Sequence, residues 1–475
     1  MSMTFQPKMS LLALAASLAL PMAAAHAQDD SFPTSPPEGG EPKGFSLPDI
    51  ETYSLKNGLD VTLVPYGNVP KVMIRANVMV GNINDGDQPH ISDFVGDMLE
   101  EGAGGKDAAT LAEEAAGMGG NVAVGVGLDQ SYVIMDVLSE SAPDAIALIA
   151  DIVQRPDFPE EGFEKVMQNR MRDLSVSASQ PGTLAEDAFV SMVYPDHPYA
   201  AAVLPEPSVI SEYTLEDVKA FHEENYGAER THIYVVGNFN KRQVKRAIRR
   251  NFRRWEEGPE ALAMAPSEGM TGGLEIVPRE GAVQSTLRLG KRVPPVDMDP
   301  AVEIANTMLG GYFSSRITRN IREDKGYTYS PGSFISYEKD AAYYVQNADV
   351  TTSVTGASLT EIANEIEGLR QEAPSEEELM GVQNYLSGIS VLQVASRGGL
   401  INRLAFANLH GLGPEYLEGY VDRVRSVTAE EVQEAAQSEM AVEDLNLVIV
   451  GDEAAVRSQL AETEAFKDRL EGEDE

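Results

Sequence analysis

One pattern occurs twice in this chain, and it limits the fold more than any other feature. TLEDVKAF, starting at Thr214, is followed by the β-branched run HIYVVGNF from His232 to Phe239. TAEEVQEA, starting at Thr428, is followed by LNLVIVGDE from Leu445 to Glu453. Thr214 corresponds to Thr428, Val218 to Val432 and Gly237 to Gly451, all at one constant offset. In each copy a Thr with acids two and three residues later reads as the N-cap of an amphipathic helix. A strand ending in Val-Gly then follows. Recurrence over so long an interval marks duplicated domains rather than a short-period solenoid. A chain of 475 residues is also too long for one ordinary core.

The ends and the middle divide the chain further. Lys8, the apolar run Leu11 to Leu20 and the small-x-small site Ala25-His26-Ala27 form an export signal in the usual order. Residues 1–27 are therefore expected to be a signal peptide, cleaved near Ala27 to leave Gln28 first. Residues 28–48, rich in Pro, Gly, Ser and acid, read as a flexible leader. A break without hydrophobic period runs from Glu256 to Gly273, so the expected domains are 49–257 and 274–475, joined by a linker at 258–273. LDVTLVPY and KVMIRANVMV read as strands, and SAPDAIALIADIVQ reads as a helix opened by Ser141 and Pro143. The pattern predicts α+β halves, each with helices on one face of a mainly antiparallel sheet.

A net charge of -38 argues against nucleic acid as a partner. The leader is too short to span a bilayer, and no later stretch has transmembrane length, so no membrane insertion is expected. With no cysteine, neither a lipidated cysteine nor a disulfide framework is possible. The expected location is periplasmic or secreted.

Four segments carry a more specific signal: YSLKNGLDVTLVPY, ISDFVGDMLEEGAGG, the stretch from Tyr194 to Phe239, and LGGYFSSRITRNIREDKGYTYSPGSF. Together they resemble the insulinase/pitrilysin metallopeptidase family, in particular its mitochondrial-processing-peptidase-like branch. The resemblance implies two homologous halves closing as a clam shell around a chamber. The family binds zinc through His-x-x-Glu-His on a helix, where the two His share one face and the Glu is the general base. Here the aligned residues are Asp93-Phe94-Val95-Gly96-Asp97. Both His positions are Asp, and Gly96 cannot move a proton. Near the expected third ligand only Asp173 carries a carboxylate. The resemblance thus implies no zinc in this chain and a zinc in its partner. Asp93, Asp97 and Asp173, with His90 one turn earlier, leave open a hard cation such as Ca²⁺ or Mg²⁺, or simply an acidic helix face.

The resemblance also implies an Arg and a Tyr seven apart that grip the substrate backbone and stabilise a developing oxyanion; Arg322 and Tyr329 have that spacing. The Gly-rich segment from Gly117 to Met135, with Asn121 and Ala123, occupies the position of the strand to which family members add a peptide. Gly310-Gly311 is a candidate flexible lip. The helix KRQVKRAIRRNFRRW, from Lys241 to Trp255, is a solvated basic face or a docking surface for an acidic partner.

The resemblance implies a non-catalytic, substrate-binding subunit, paired in a heterodimer with a homologous chain that carries the zinc motif and acting on unfolded peptide. The alternative is a pseudo-peptidase that binds peptide or scaffolds a complex. No Gly-x-Ser-x-Gly elbow supports an independent hydrolase. N-terminal sequencing of the native protein should find the mature chain beginning near Gln28 and outside the cytoplasm. An intact Met1 would refute the export signal.

Overall fold

The computed structural model describes residues 46–201, 203–262, 268–296 and 299–471. The signal peptide and most of the 28–48 leader lie outside the described residues.

The duplication is visible in the sheets. The first runs in the order Glu51–Ser54, Asp60–Pro65, Thr231–Gly237, Lys71–Val78, Ser131–Leu138, Val122–Val126. The second runs Leu274–Pro278, Asn446–Gly451, Gln284–Val293, Ala341–Thr351, Gly332–Glu338. Apart from the extra edge strand Glu51–Ser54, the two have one topology, with a single parallel pairing each: Asp60–Pro65 with Thr231–Gly237, and Leu274–Pro278 with Asn446–Gly451. The repeated Val-Gly strands hold the same place in both sheets. Both repeated helices carry the expected cap. Thr214 and Asp217, and Thr428 and Glu431, exchange side-chain and backbone hydrogen bonds as capping boxes. Ser141 does stand at the N-cap of the helix Ala142–Gln154, but its side chain makes no capping bond.

The sequence predicts helices on one face of each sheet; the structure covers both faces. On the first sheet Val61, Leu63, Ile74, Ile233 and Val235 face a core shared with the helix Ala142–Gln154. Alternate residues Val64, Tyr234 and Val236 point the other way, onto Leu400, Ile401 and Leu404 of the helix Arg397–Leu409. That helix belongs to the second half. The second sheet reciprocates: Leu287, Leu447 and Ile449 face its own core. Tyr343, Val345, Val448 and Val450 meet Ala185, Phe189 and Val193 of the first half's helix Pro181–Val193. Period-two alternation with both faces apolar explains why these strands read as nearly unbroken hydrophobic runs.

Polar groups pin the exchange in register. Arg397 donates two parallel hydrogen bonds of 3.0 Å to Asp136 on the first sheet, which also accepts one from Lys71 at 2.9 Å. Arg288 and the Tyr343 hydroxyl of the second sheet both donate to Glu186 on the first half's helix. The Tyr194 hydroxyl donates to the buried Glu338 at 2.7 Å. The segment between the halves is tied down as well: the backbone carbonyls of Glu256 and Glu257 accept from Ala228 and Glu229, and Arg230 donates to the carbonyls of Pro259 and Glu260.

Each sheet needs the other half to cover one apolar face. Residues 49–257 and 274–475 expressed separately should therefore aggregate, and co-expression should recover a soluble complex. Cooperative thermal unfolding of either half alone would show that the exchange is dispensable.

Candidate functional site

The degenerate motif lies on the helix Ile91–Met98, whose Ile91, Phe94, Val95 and Met98 form a buried stripe at helical spacing. The N-terminus of that helix is satisfied from outside. Asp85 accepts from the backbone N–H groups of His90 and Ser92, at 2.8 and 3.0 Å. Burial pushes the Asp85 carboxyl up to about 6, although hydrogen bonds from Ser92, Asn82 and His90 oppose the shift. Asp93 and Asp97 leave the helix one turn apart on a common face.

Between them stands a cation supplied by the chain itself. Arg170, on the facing helix Glu160–Ser177, donates from Nε to Asp97 at 2.6 Å and from Nη1 to Asp93 at 3.1 Å. Its Nη2 donates to the Asp93 carbonyl at 3.0 Å, and Asn82 donates to the remaining Asp93 oxygen at 2.6 Å. Burial works against the Arg170 charge, but Asp93 and Asp97 outweigh it and hold the guanidinium pKa above the ordinary arginine value.

Asp173 does not join this group. Its side chain is 68% exposed, 3.4 Å from Arg172, and it lines a cavity of about 110 Å³ together with His90, Phe94 and Leu174. Among the described residues no three His, Cys, Asp or Glu gather as they would around a metal ion. Of the two readings left open for Asp93, Asp97 and Asp173, a hard-cation site or an acidic helix face, the structure brings only Asp93 and Asp97 together, and a guanidinium already pairs with both. The residues present do not fit zinc. The base position is closed too, because a Cβ at Gly96 would fall 2.4 Å from Cγ2 of Val126.

Val126 belongs to the strand Val122–Val126, which pairs only with Ser131–Leu138 and forms the sheet edge. Ala123 lies in this edge strand, opposite Ile134. Asn121 is exposed just ahead of it, with its amide donating to the Val122 carbonyl at 3.1 Å. The outer edge carries main-chain groups of the kind that accept another strand, with the Val124 N–H already donating to the Glu100 carboxylate. One glycine serves packing instead: a Cβ at Gly125 would lie 2.4 Å from the Tyr132 ring, which in turn stacks under Arg75 at 3.9 Å.

Arg322 and Tyr329 form a second centre. The Arg322 guanidinium lies 4.4 Å from the centre of the Phe313 ring and 5.3 Å from that of Tyr329. No carboxylate stands within salt-bridge distance of Arg322 among the described residues, and Tyr329 is 82% exposed. Two π-helical turns, Thr307–Gly311 and Thr318–Asp324, flank Phe313. The Gly310 part of the expected lip is a tight contact: it is buried, and a Cβ there would lie 2.5 Å from the Gln346 amide oxygen and 2.6 Å from the Ser333 hydroxyl. No hydrogen bond, ion pair or ring contact among the described residues joins this centre to Asp93, Asp97 or Arg170.

Two family models match the chain, and the boundary between them, between residues 206 and 212, falls inside the first half rather than between the halves. Residues 63–206 match the insulinase family (peptidase family M16), and residues 212–386 match the peptidase M16 inactive domain. The chain belongs to peptidase family M16. An uncharacterized zinc protease of Rickettsia felis is 26% identical over 343 residues, covering 71% of this chain and 82% of that protein. Another from Bacillus subtilis is 23% identical, covering 84% and 98%. The crystal structure of a peptidase M16 inactive domain from Pseudomonas fluorescens superposes with a TM-score of 0.78 at 25% identity, covering 85% of this chain and 98% of that one. A Helicobacter pylori protease shares the fold at a TM-score of 0.80 and 18% identity, covering 86% of this chain and 100% of that one.

Sequence reading of this M16 chain missed two residues at its centres. Arg170 lies three positions before Asp173 on the same helix and was the only signal of a resident cation. Phe313 stands nine residues before Arg322 with no local cue that the two stack.

Replacing Arg170 with Met leaves two neighbouring carboxylates without their cation. It should cost about 1–3 kcal/mol, less than for a fully buried pair because the Asp97 side chain is 43% exposed. Urea denaturation measures the loss, and an unchanged midpoint would show that the triad is ornamental. Asp93→His, Gly96→Glu and Asp97→His together should not create a stoichiometric zinc site, because Val126 and Arg170 still fill the space.

Proposed function

We propose that this M16 protein is the non-catalytic, substrate-binding subunit of a two-subunit zinc metallopeptidase acting outside the cytoplasm. In this reading its halves close as a clam shell on a homologous partner that carries the zinc motif, and unfolded peptide is the substrate. The observation that carries the reading is the contrast between the two centres. The first is filled by Arg170. The second presents a guanidinium without a carboxylate and an exposed phenol.

Stacking between Phe313 and Tyr329 limits where the Arg322 fork can point without neutralising its charge. Arg322 N–H groups and the Tyr329 hydroxyl are donors of the kind that stabilise a carbonyl oxygen as it gains charge. They contribute most where the oxyanion forms, and little to ground-state binding. The partner's zinc would supply the activated water. The open edge at Val122–Val126 suits main-chain recognition of an extended peptide, with Ala123 within the strand and Asn121 at its start.

Arg322→Ala and Tyr329→Phe should each lower turnover of the complex purified with its native partner by about a hundredfold, some 3 kcal/mol. Complex yield and zinc content should not change. Complex yield and turnover measured on one sample separate this from a structural role, which predicts poor assembly with specific activity preserved. Full activity in both variants would replace the subunit reading with a peptide-binding scaffold.

A further inference from the structure

The helix Lys241–Phe252 stands apart from the acidic surface around it. Val244, Ala247, Ile248 and Phe252 are buried, and the helix packs against Ala142–Gln154. Its two lysines are internally committed: both Lys241 and Lys245 pair with Glu51, the former at 2.7 Å. The arginines are not. Arg242, Arg246, Arg249, Arg250, Arg253 and Arg254 are all exposed, and none has a carboxylate within salt-bridge distance among the described residues. Four of them, Arg242, Arg246, Arg249 and Arg250, lie on the helix within an arc of about 100°, and Arg253 and Arg254 follow in the turn after Phe252. The chain's single tryptophan, Trp255, sits half-buried at the end of this face, 6.1 Å from Phe252.

We propose that this face docks the protein on an anionic phospholipid surface. Six guanidinium groups with no carboxylate in salt-bridge distance among the described residues cluster on and just beyond one helix, in a chain of net charge -38, and an external anion would relieve their mutual repulsion. The guanidinium fork matches phosphate oxygens bidentately, and basic clusters of this size on a helix suit acidic headgroups. The helix turns its apolar stripe inward, so contact is peripheral and governed by charge, without insertion. Screening within roughly 8 Å at physiological salt lets the patch act locally while acidic surface elsewhere on the protein is not felt. A protein partner fits less well. Protein interfaces are built around an apolar centre, and no large apolar side chain is exposed between Lys241 and Trp255.

Co-sedimentation of the chain from Gln28 to Glu475 with phosphatidylcholine vesicles, with and without phosphatidylglycerol, tests this. Binding is expected only with phosphatidylglycerol, and should be lost on raising the salt. The triple variant Arg246→Glu, Arg250→Glu, Arg253→Glu should bind at least about tenfold more weakly. Its circular dichroism and thermal midpoint serve as the folding control, and the charge-preserving Arg→Lys triple variant should keep most of the binding. Failure of the wild type to bind at low salt overturns the proposal, as does equal binding by the Glu variant. If the wild type ignores vesicles while the Glu variant fails to assemble with its native partner, the face belongs to an acidic protein instead.

Discussion

The reciprocal exchange of helices between the two sheets is the constraint on which the rest of the molecule depends. Each sheet has a second apolar face that a helix of the other half covers. Pro181–Val193 closes the second sheet, and Arg397–Leu409 closes the first. Fully burying residues such as Phe189, Val345, Leu400 and Val236 contributes about 1.5–3 kcal/mol each. The Arg397–Asp136 and Arg288–Glu186 pairs then select one register out of the many that apolar packing alone would tolerate. Pro181–Val193 directly follows Glu160–Ser177 in the chain, and Arg170 of that preceding helix pairs with Asp97 on Ile91–Met98.

The first centre is two carboxylates bridged by a cation from the chain itself. Two acids one turn apart facing a second helix would repel each other without a cation. Arg170 supplies one, and hydrogen bonds to both carboxylates add direction to the charge. Gly96 lets Val126 of the edge strand pack directly on the helix. The centre is a junction between the helix Ile91–Met98, the helix Glu160–Ser177 and the sheet edge. The second centre is built differently. Tyr329 and Phe313 remain exposed, and a desolvated hydrophobic cluster would have been the more stable use of two large rings.

What could be read in the sequence was local or a matter of residue identity. The capping boxes at Thr214 and Thr428 depend on four consecutive residues, so the pattern alone predicts them. The duplication followed from a recurring helix–strand unit, and two sheets of matching topology answer it. Asp93, Gly96 and Asp97 offer neither an imidazole nor a general base between them, and that chemistry needs no coordinates. Arg322 and Tyr329 could be nominated from spacing within a resemblance, and the structure brings their side chains together.

What only the tertiary structure decided involves partners distant in sequence. Arg170 is 73 residues from Asp97 and 77 from Asp93, and nothing nearby indicates that its guanidinium turns toward them. Asp173, three residues further on, looked the better candidate because it carries the right charge for a metal ligand, yet the helix turns it to solvent. The exchange was hidden for a related reason. A strand buried on both faces shows only that something apolar covers it, and period-two alternation cannot say which helix that is. The sequence by itself determined the repeat, the α+β class and the residue types at Asp93, Gly96 and Asp97, because these rest on short-range pattern and side-chain chemistry. That Arg170 lies between the two aspartates, and which half covers which sheet, was settled by long-range packing.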